Sequence, residues 1–327
     1  MRNQLKPPTL QNKLRNNFVV FVLLGTAAVM GMILDAEAQI VFRAGTPKRQ
    51  GIYVMDTNGR NVKQLTQDES YNAEPVWSMD GEQIAFVSDR GGFFFEIYVM
   101  SANGGKPINL TQHPADHGGP AWSPDGKRIA FSSFRDGNPE VYAMNADGTN
   151  LTRLTDHPGV DIYPAWSPDG KQIAFESTRV FGSDIFAMNA DGTHIRRVTT
   201  SRFQDTDPAW SPDGTQIAFA SWRNKIWDIY IINVDGKAET NLTDSRSEDT
   251  HPTWSPDGQR IAYSSKRDGL YGIYVINADG NGGFAIVEDL QLALTPNWSP
   301  KPLPVSPKRK SSTLWGALKI IVNPKNK

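Results

Sequence analysis

Apolar residues in this chain come in runs of four or five, each closed at both ends by residues that break regular structure. The pattern is clearest over residues 120–155, PAWSPDGKRIAFSSFRDGNPEVYAMNADGTNLTRLT. Four short segments rich in β-branched and aromatic residues, 120–123, 128–132, 140–144 and 152–155, predict four antiparallel strands, A to D. Between A and B lies Pro124-Asp125-Gly126, in which proline presets φ, aspartate suits the second turn position and glycine takes the left-handed one. Asn145-Ala146-Asp147-Gly148 serves the same purpose between C and D.

Close variants of this unit fill the chain from residue 70 to residue 300. Its marker tryptophans are Trp77, Trp122, Trp166, Trp210, Trp254 and Trp298, spaced by 45 residues once and by 44 four times. A fixed period of this length marks a repeat architecture, and four strands per period predict the blades of a β-propeller. The first repeat lacks strand A: the chain enters at residues 39–42, which align with strand B. The missing strand stands at the other end, at 295–300, with no strand B after it. Five whole repeats and one shared between the termini predict an all-β, six-bladed propeller whose first blade is closed by the C-terminal strand. Closure removes the open sheet edges that invite aggregation.

The repeated Pro-x-Trp-Ser-Pro-Asp-Gly, x-Ile-Ala-Phe, Ile-Tyr-x-Met-Asn-x-Asp-Gly and Leu-Thr resemble the WD-type TolB-like propeller repeat, over roughly residues 39 to 300. The resemblance implies a six-bladed propeller. The family's namesake carries an α/β domain ahead of its propeller, whereas this chain enters strand B directly after its leader.

That leader carries Arg2, Lys6, Lys13 and Arg15 without an acid in residues 1–17, then an almost unbroken apolar run, 18–34, and Ala36-Glu37-Ala38. A basic start, an apolar stretch and an A-x-A site predict a signal peptide cleaved before Gln39; an uncleaved signal-anchor is the alternative. Either form exports the propeller, so a periplasmic or secreted protein is expected. The divisions expected are a leader at 1–38, a propeller at 39–300 and a proline-rich, basic tail at 301–327. The chain has no cysteine, which excludes a lipid-modified N-terminus and any thiolate ligand or nucleophile.

The net charge of −1 hides an asymmetry. Residues 39–298 hold 23 Lys+Arg against 33 Asp+Glu, a net −10, while residues 299–327 hold seven basic residues and no acid. An acidic propeller is a poor ligand for nucleic acid, whose binding rests on neutralising phosphates. The tail reads as a stiff proline-rich spacer (300–307), a basic Lys308-Arg309-Lys310 and a partly apolar stretch around Trp315, able to dock on an anionic membrane, a partner or the acidic propeller itself.

Function on a propeller is sought on a face or in the channel. The A–B turns are near-constant (SPDGK, SPDGT, SPDGQ), whereas the B–C and D–A loops of the other face vary, and a scaffold that diversifies one face presents loops for recognition. Large aromatics on those loops, Phe93, Phe94, Phe95, Phe181, Trp222, Trp227 and Tyr271, are the expected partner-binding residues. On the same face Arg90, Arg135, Arg179, Arg223 and Arg267 recur in five blades. Three residues before each strand-A proline stand Asn72, His117, Asp161, Asp205, Asp249 and Ala293. These acids and the imidazole are candidates for a divalent cation at the channel mouth; the alternative is that each arginine pairs with a nearby carboxylate to tie adjacent blades together. His251 is a further non-periodic candidate beside His117. No Gly-x-Ser-x-Gly elbow, His-Glu-x-x-His or phosphate-binding glycine loop is present. The expectation is a non-catalytic, monomeric binding module without a cofactor, recognising a protein or cell-envelope component. A metal-dependent lyase or hydrolase with its site at the channel mouth is the competing class, and a purely structural envelope protein a third.

Overall fold

The computed structural model describes residues 38–300, apart from 47, 48, 224, 289 and 291. The leader and the tail lie outside the described residues. Six four-stranded antiparallel sheets follow one another round a ring. In blade 2, strands A to D are Asn72–Trp77, Gln83–Ser88, Glu96–Ser101 and Ile108–Asn109. The pattern repeats through blade 6, whose strands B and C are Arg260–Arg267 and Leu270–Asn277. Blade 1 takes its strand A from the other end of the chain: Leu294–Trp298 pairs antiparallel with Gln39–Thr46, bringing Trp298 opposite Ile40.

Strand A begins two to four residues before the proline at which the sequence pattern places it, three in His117–Trp122 and four in Gln204–Trp210. Each A strand carries a register shift just before that proline, between Gly118 and Ala121 in blade 3 and between Ile162 and Ala165 in blade 4. A residue that lacks an N–H fits such a bulge, and the bulge breaks the period-two alternation that would have revealed the strand.

The core lies between the blades. Val41, Ile52 and Val54 of blade 1 pack with Trp77, Ile84 and Phe86 of blade 2 in one cluster, and equivalent clusters seal the other junctions. Phe42, Phe86, Phe131, Phe175 and Phe219 are fully buried, each worth about 2–3 kcal/mol of apolar transfer.

The constant turns have a physical cause. In the A–B turn Ser123 Oγ donates to Asp125 (2.6 Å) and accepts the Arg128 N–H (2.9 Å), and Ser167, Ser211 and Ser255 repeat this. The Leu-Thr of strand D places Thr155 Oγ1 to accept the Val141 N–H at 2.9 Å, as Thr199 does for Ile185 and Thr243 for Ile229.

Candidate functional site

The A strands contact one another round the axis and enclose a cavity of about 460 Å³. Its walls are the Pro-x-Trp of each blade, Pro120 and Trp122 for example, and its lining extends to the A–B turns at Met79, Pro124, Pro168, Pro212, Pro256 and Pro300. The cavity therefore reaches the face whose turns are constant in sequence, opposite the variable loops.

At its other end the lining consists of the residue before each strand-A proline: Glu74, Gly119, Tyr163, Asp207, His251 and Thr295. All six have φ between 51° and 58°, in the left-handed region that only glycine adopts without cost. For Thr295, which is β-branched, the strain is greatest. The amides freed from the ladder by these bulges are bonded to the preceding blade: Tyr163 N–H donates to Ser132 Oγ and Thr295 N–H to Ser264 Oγ, both at 3.0 Å, and Gly119 N–H to the Glu74 carboxylate at 2.6 Å. Glycine fits closely at 119, where a Cβ would stand 3.1 Å from the Tyr163 ring and 3.2 Å from its Cα and would press that residue aside.

The floor is electrically unbalanced. Burial raises the Glu74 carboxyl, with Arg43 and His251 opposing the rise. Glu176, which accepts from Ser183 Oγ at 2.6 Å and from Thr206 Oγ1, is pushed up to about 7 by burial, with Asp207 and Asp205 adding to it. Negative charge on Glu74, together with burial and Asp207, raises the Tyr163 phenol far above its usual range. Asp207 faces His251 Nε2 at 3.8 Å, and Arg43 reaches Tyr71 through a guanidinium hydrogen bond. Among the lining residues, Glu74 and Asp207 thus share this level with the His251 imidazole and with no Lys or Arg. The Thr295 hydroxyl, on a residue 9% exposed, has no hydrogen-bond partner.

The residues three before the proline are held elsewhere. Asp161 is fully buried, accepting from Ser177 Oγ (2.5 Å) and pairing with Arg179 (2.6 Å). Asp205 accepts from Ser221 and stands 3.9 Å from Arg223, and Asn72 accepts from Arg90 at 2.5 Å. Each arginine also lies over an aromatic ring of its own blade, Arg179 over Phe186 at 5.1 Å and Arg267 over Tyr274 at 3.8 Å. The ties are therefore made within blades, not between adjacent ones. Burial pushes Asp249 up to about 6, and burial with Arg135 and His113 nearby pushes His117 down to about 3. His117, Asp161, Asp205 and Asp249 stay in separate blades, and among the described residues no three His, Asp or Glu side chains converge on one metal position. His117 and His251 both lie in A strands, three residues before the proline and directly before it respectively.

The loop aromatics divide. Phe93 and Phe181 are fully exposed, and Phe94, Phe95 and Trp222 partly so. Phe95 meets Tyr71 edge-on at 5.4 Å, Trp222 meets Trp227 at 5.5 Å, and Tyr271 lies under Lys266 and bonds Glu248. The seven stand at the B–C ends of four blades, 2, 4, 5 and 6. What sequence reasoning missed is the floor. Its signal was a column next to an invariant proline that holds Glu, Gly, Tyr, Asp, His and Thr while its neighbours hardly change.

Six four-stranded blades round an axial cavity walled by their A strands define a six-bladed β-propeller. The chain belongs to the TolB beta propeller domain family, whose pattern matches residues 36–117, 108–207 and 202–305. It resembles the crystal structure of TolB from Acinetobacter baumannii at 25% identity and a TM-score of 0.75, covering 82% of this chain and 68% of that one. The structure of a TolB assignment from Agrobacterium tumefaciens gives 25% and 0.66, covering 81% and 95%. In sequence it is 30% identical over 85 residues to the Tol-Pal system protein TolB of Desulfosudis oleivorans, 26% of this chain but 19% of that protein's length.

Proposed function

We propose that this chain is a non-catalytic binding module of the periplasm that takes a segment of a cell-envelope protein into its axial cavity. The observation that carries the reading is the cavity itself: apolar Trp and Pro walls leading to a small set of polar groups is the usual composition of a recognition site. Membership of the TolB propeller family and the Tol-Pal name of a relative support an envelope partner. The lyase or hydrolase reading needs convergent donors, and among the described residues no three His, Asp or Glu side chains meet, Asp161 and Asp205 being held inside their own blades.

A second reading, partner binding on the B–C and D–A loops, is favoured by the full exposure of Phe93 and Phe181. Cross-linked capture from the cell envelope separates the two. Pro168→Glu with Pro212→Glu charges the cavity rim at a turn position where Met79 shows that proline is dispensable. Phe93→Ala with Phe181→Ala removes the exposed rings. Loss of capture by about tenfold or more, ~1.4 kcal/mol, in the rim variant alone supports the cavity. Loss in the phenylalanine variant alone moves the site to the loops, and no loss in either defeats both.

A further inference from the structure

The cavity floor breaks the six-fold repeat, and it does so with charge. The lining at this level carries the carboxyl groups of Glu74 and Asp207 beside the His251 imidazole, with no Lys or Arg among the lining residues, so a ligand that reaches it is best matched by a cation. The walls ask for a chain segment as its carrier. They are the Pro-x-Trp of all six blades, a continuous ring of pyrrolidine and indole surface. Aromatic-lined grooves are the surfaces on which polyproline segments dock, because such segments are already extended.

A segment of that chemistry begins at the rim. Pro300 is the last described residue and lines the cavity. After it come Pro302, Pro304 and Pro307, then Lys308-Arg309-Lys310 and Trp315, with seven basic residues and no acid over residues 299–327. The reach suffices. Eight to ten residues at about 3.1 Å each give roughly 25–31 Å of chain, against roughly 16 Å from rim to floor along the five residues from Thr295 to Pro300. That leaves room to turn at the mouth and run back inward.

We propose that the axial cavity is occupied in cis by the chain's own C-terminal segment, its prolines against the Trp and Pro walls and a basic side chain of Lys308-Arg309-Lys310 at the Glu74–Asp207 floor. An envelope partner then has to displace it. The proposal rests on the reading of the cavity as the binding site.

The test uses the full chain with a benzophenone amino acid in place of Val305, irradiated alone and with anionic phosphatidylglycerol vesicles, and mapped by mass spectrometry. The expected result is cross-linking within one chain to wall residues such as Trp166 and Pro212. The yield should fall about fivefold or more when Lys308, Arg309 and Lys310 are changed to Gln, and again in Asp207→Asn or, should that variant fold poorly, Glu74→Gln. Cross-links to the outer loops, to a second copy or to lipid overturn the proposal, as does the absence of any cross-link. Capture of the envelope partner, run in parallel, keeps the two readings apart. Capture that needs the rim, without tail cross-links, leaves the function and removes the tail; tail cross-links in the cavity with capture indifferent to the rim do the reverse. If both hold, the triple-Gln variant captures several-fold more partner than the parent chain.

Discussion

His117 occupies the place that is aspartate in blades 4, 5 and 6 and asparagine in blade 2. There it is 3% exposed, beside Arg135 and His113, and its folded pKa of about 3 means that the fold holds the neutral ring. The unfolded chain binds a proton near 6.5 and the folded one does not, so the stability this residue contributes is complete above about pH 6.5 and is lost as pH falls toward 3. Asn72, which accepts from Arg90, shows that asparagine fits this position without titrating. His117→Asn should therefore flatten the acid limb. Its stability relative to the parent, from urea unfolding, should rise by on the order of 3 kcal/mol between pH 7 and pH 4; an unchanged difference would show that the ring takes up a proton in the fold. At this scale the sequence was a partial guide. The column that includes Asp161 and Arg179 was legible as paired charges, because both partners recur. The floor column was not, since Glu74, Tyr163, Asp207 and His251 share no chemistry and are linked only by a backbone conformation that letters do not display.

Strand boundaries show the same division between what periodicity carries and what it hides. Strands B and C were readable almost to the residue, Arg128–Ser133 and Glu140–Asn145 against 128–132 and 140–144, because both faces of these strands are buried and their apolar runs are continuous. Strand A was readable only from its proline onward, since the bulge before it sends consecutive side chains to unexpected sides. The closing strand has its own device. Asn297 stands where the other blades carry Val76, Ala121, Ala165, Ala209 and Thr253, and its Oδ1 accepts the Trp77 N–H at 3.0 Å, joining blade 1 to blade 2. Asn297→Ala leaves that amide without its partner and should cost about 1–2 kcal/mol. Ala165→Gly, at the same wall position of a blade that makes no such bond, supplies the comparison by thermal unfolding for a change of side chain alone; a cost for Asn297→Ala within its range would deny the latch.

Closure of the ring is a property of the whole molecule, and it was legible because the missing strand and the surplus strand are the same strand. Gln39 N–H donates to Ser299 Oγ at 3.0 Å and Ser299 N–H to the Gln39 carbonyl at 2.8 Å, so the two ends of the propeller are bonded directly. Leu294, Trp298 and Ala293 are buried at this junction, and their transfer contributes about 5 kcal/mol. A chain stopped after Ala293 loses that burial and exposes the inner edge of Gln39–Thr46, a long strand with unpaired backbone groups. At ~2–4 °C per kcal/mol for a domain of this size, its melting temperature should fall by about 10 °C or more, and light scattering should show self-association. A chain stopped after Pro300 keeps the closing strand and loses only the basic segment, so it should show no added self-association, and its melting temperature should fall by no more than the few degrees that a docked segment contributes. Equal behaviour of the two truncations would mean that the ring does not depend on its shared blade, while a much larger loss in the shorter chain places the stability of the ring in closure and the role of the segment after Pro300 in recognition.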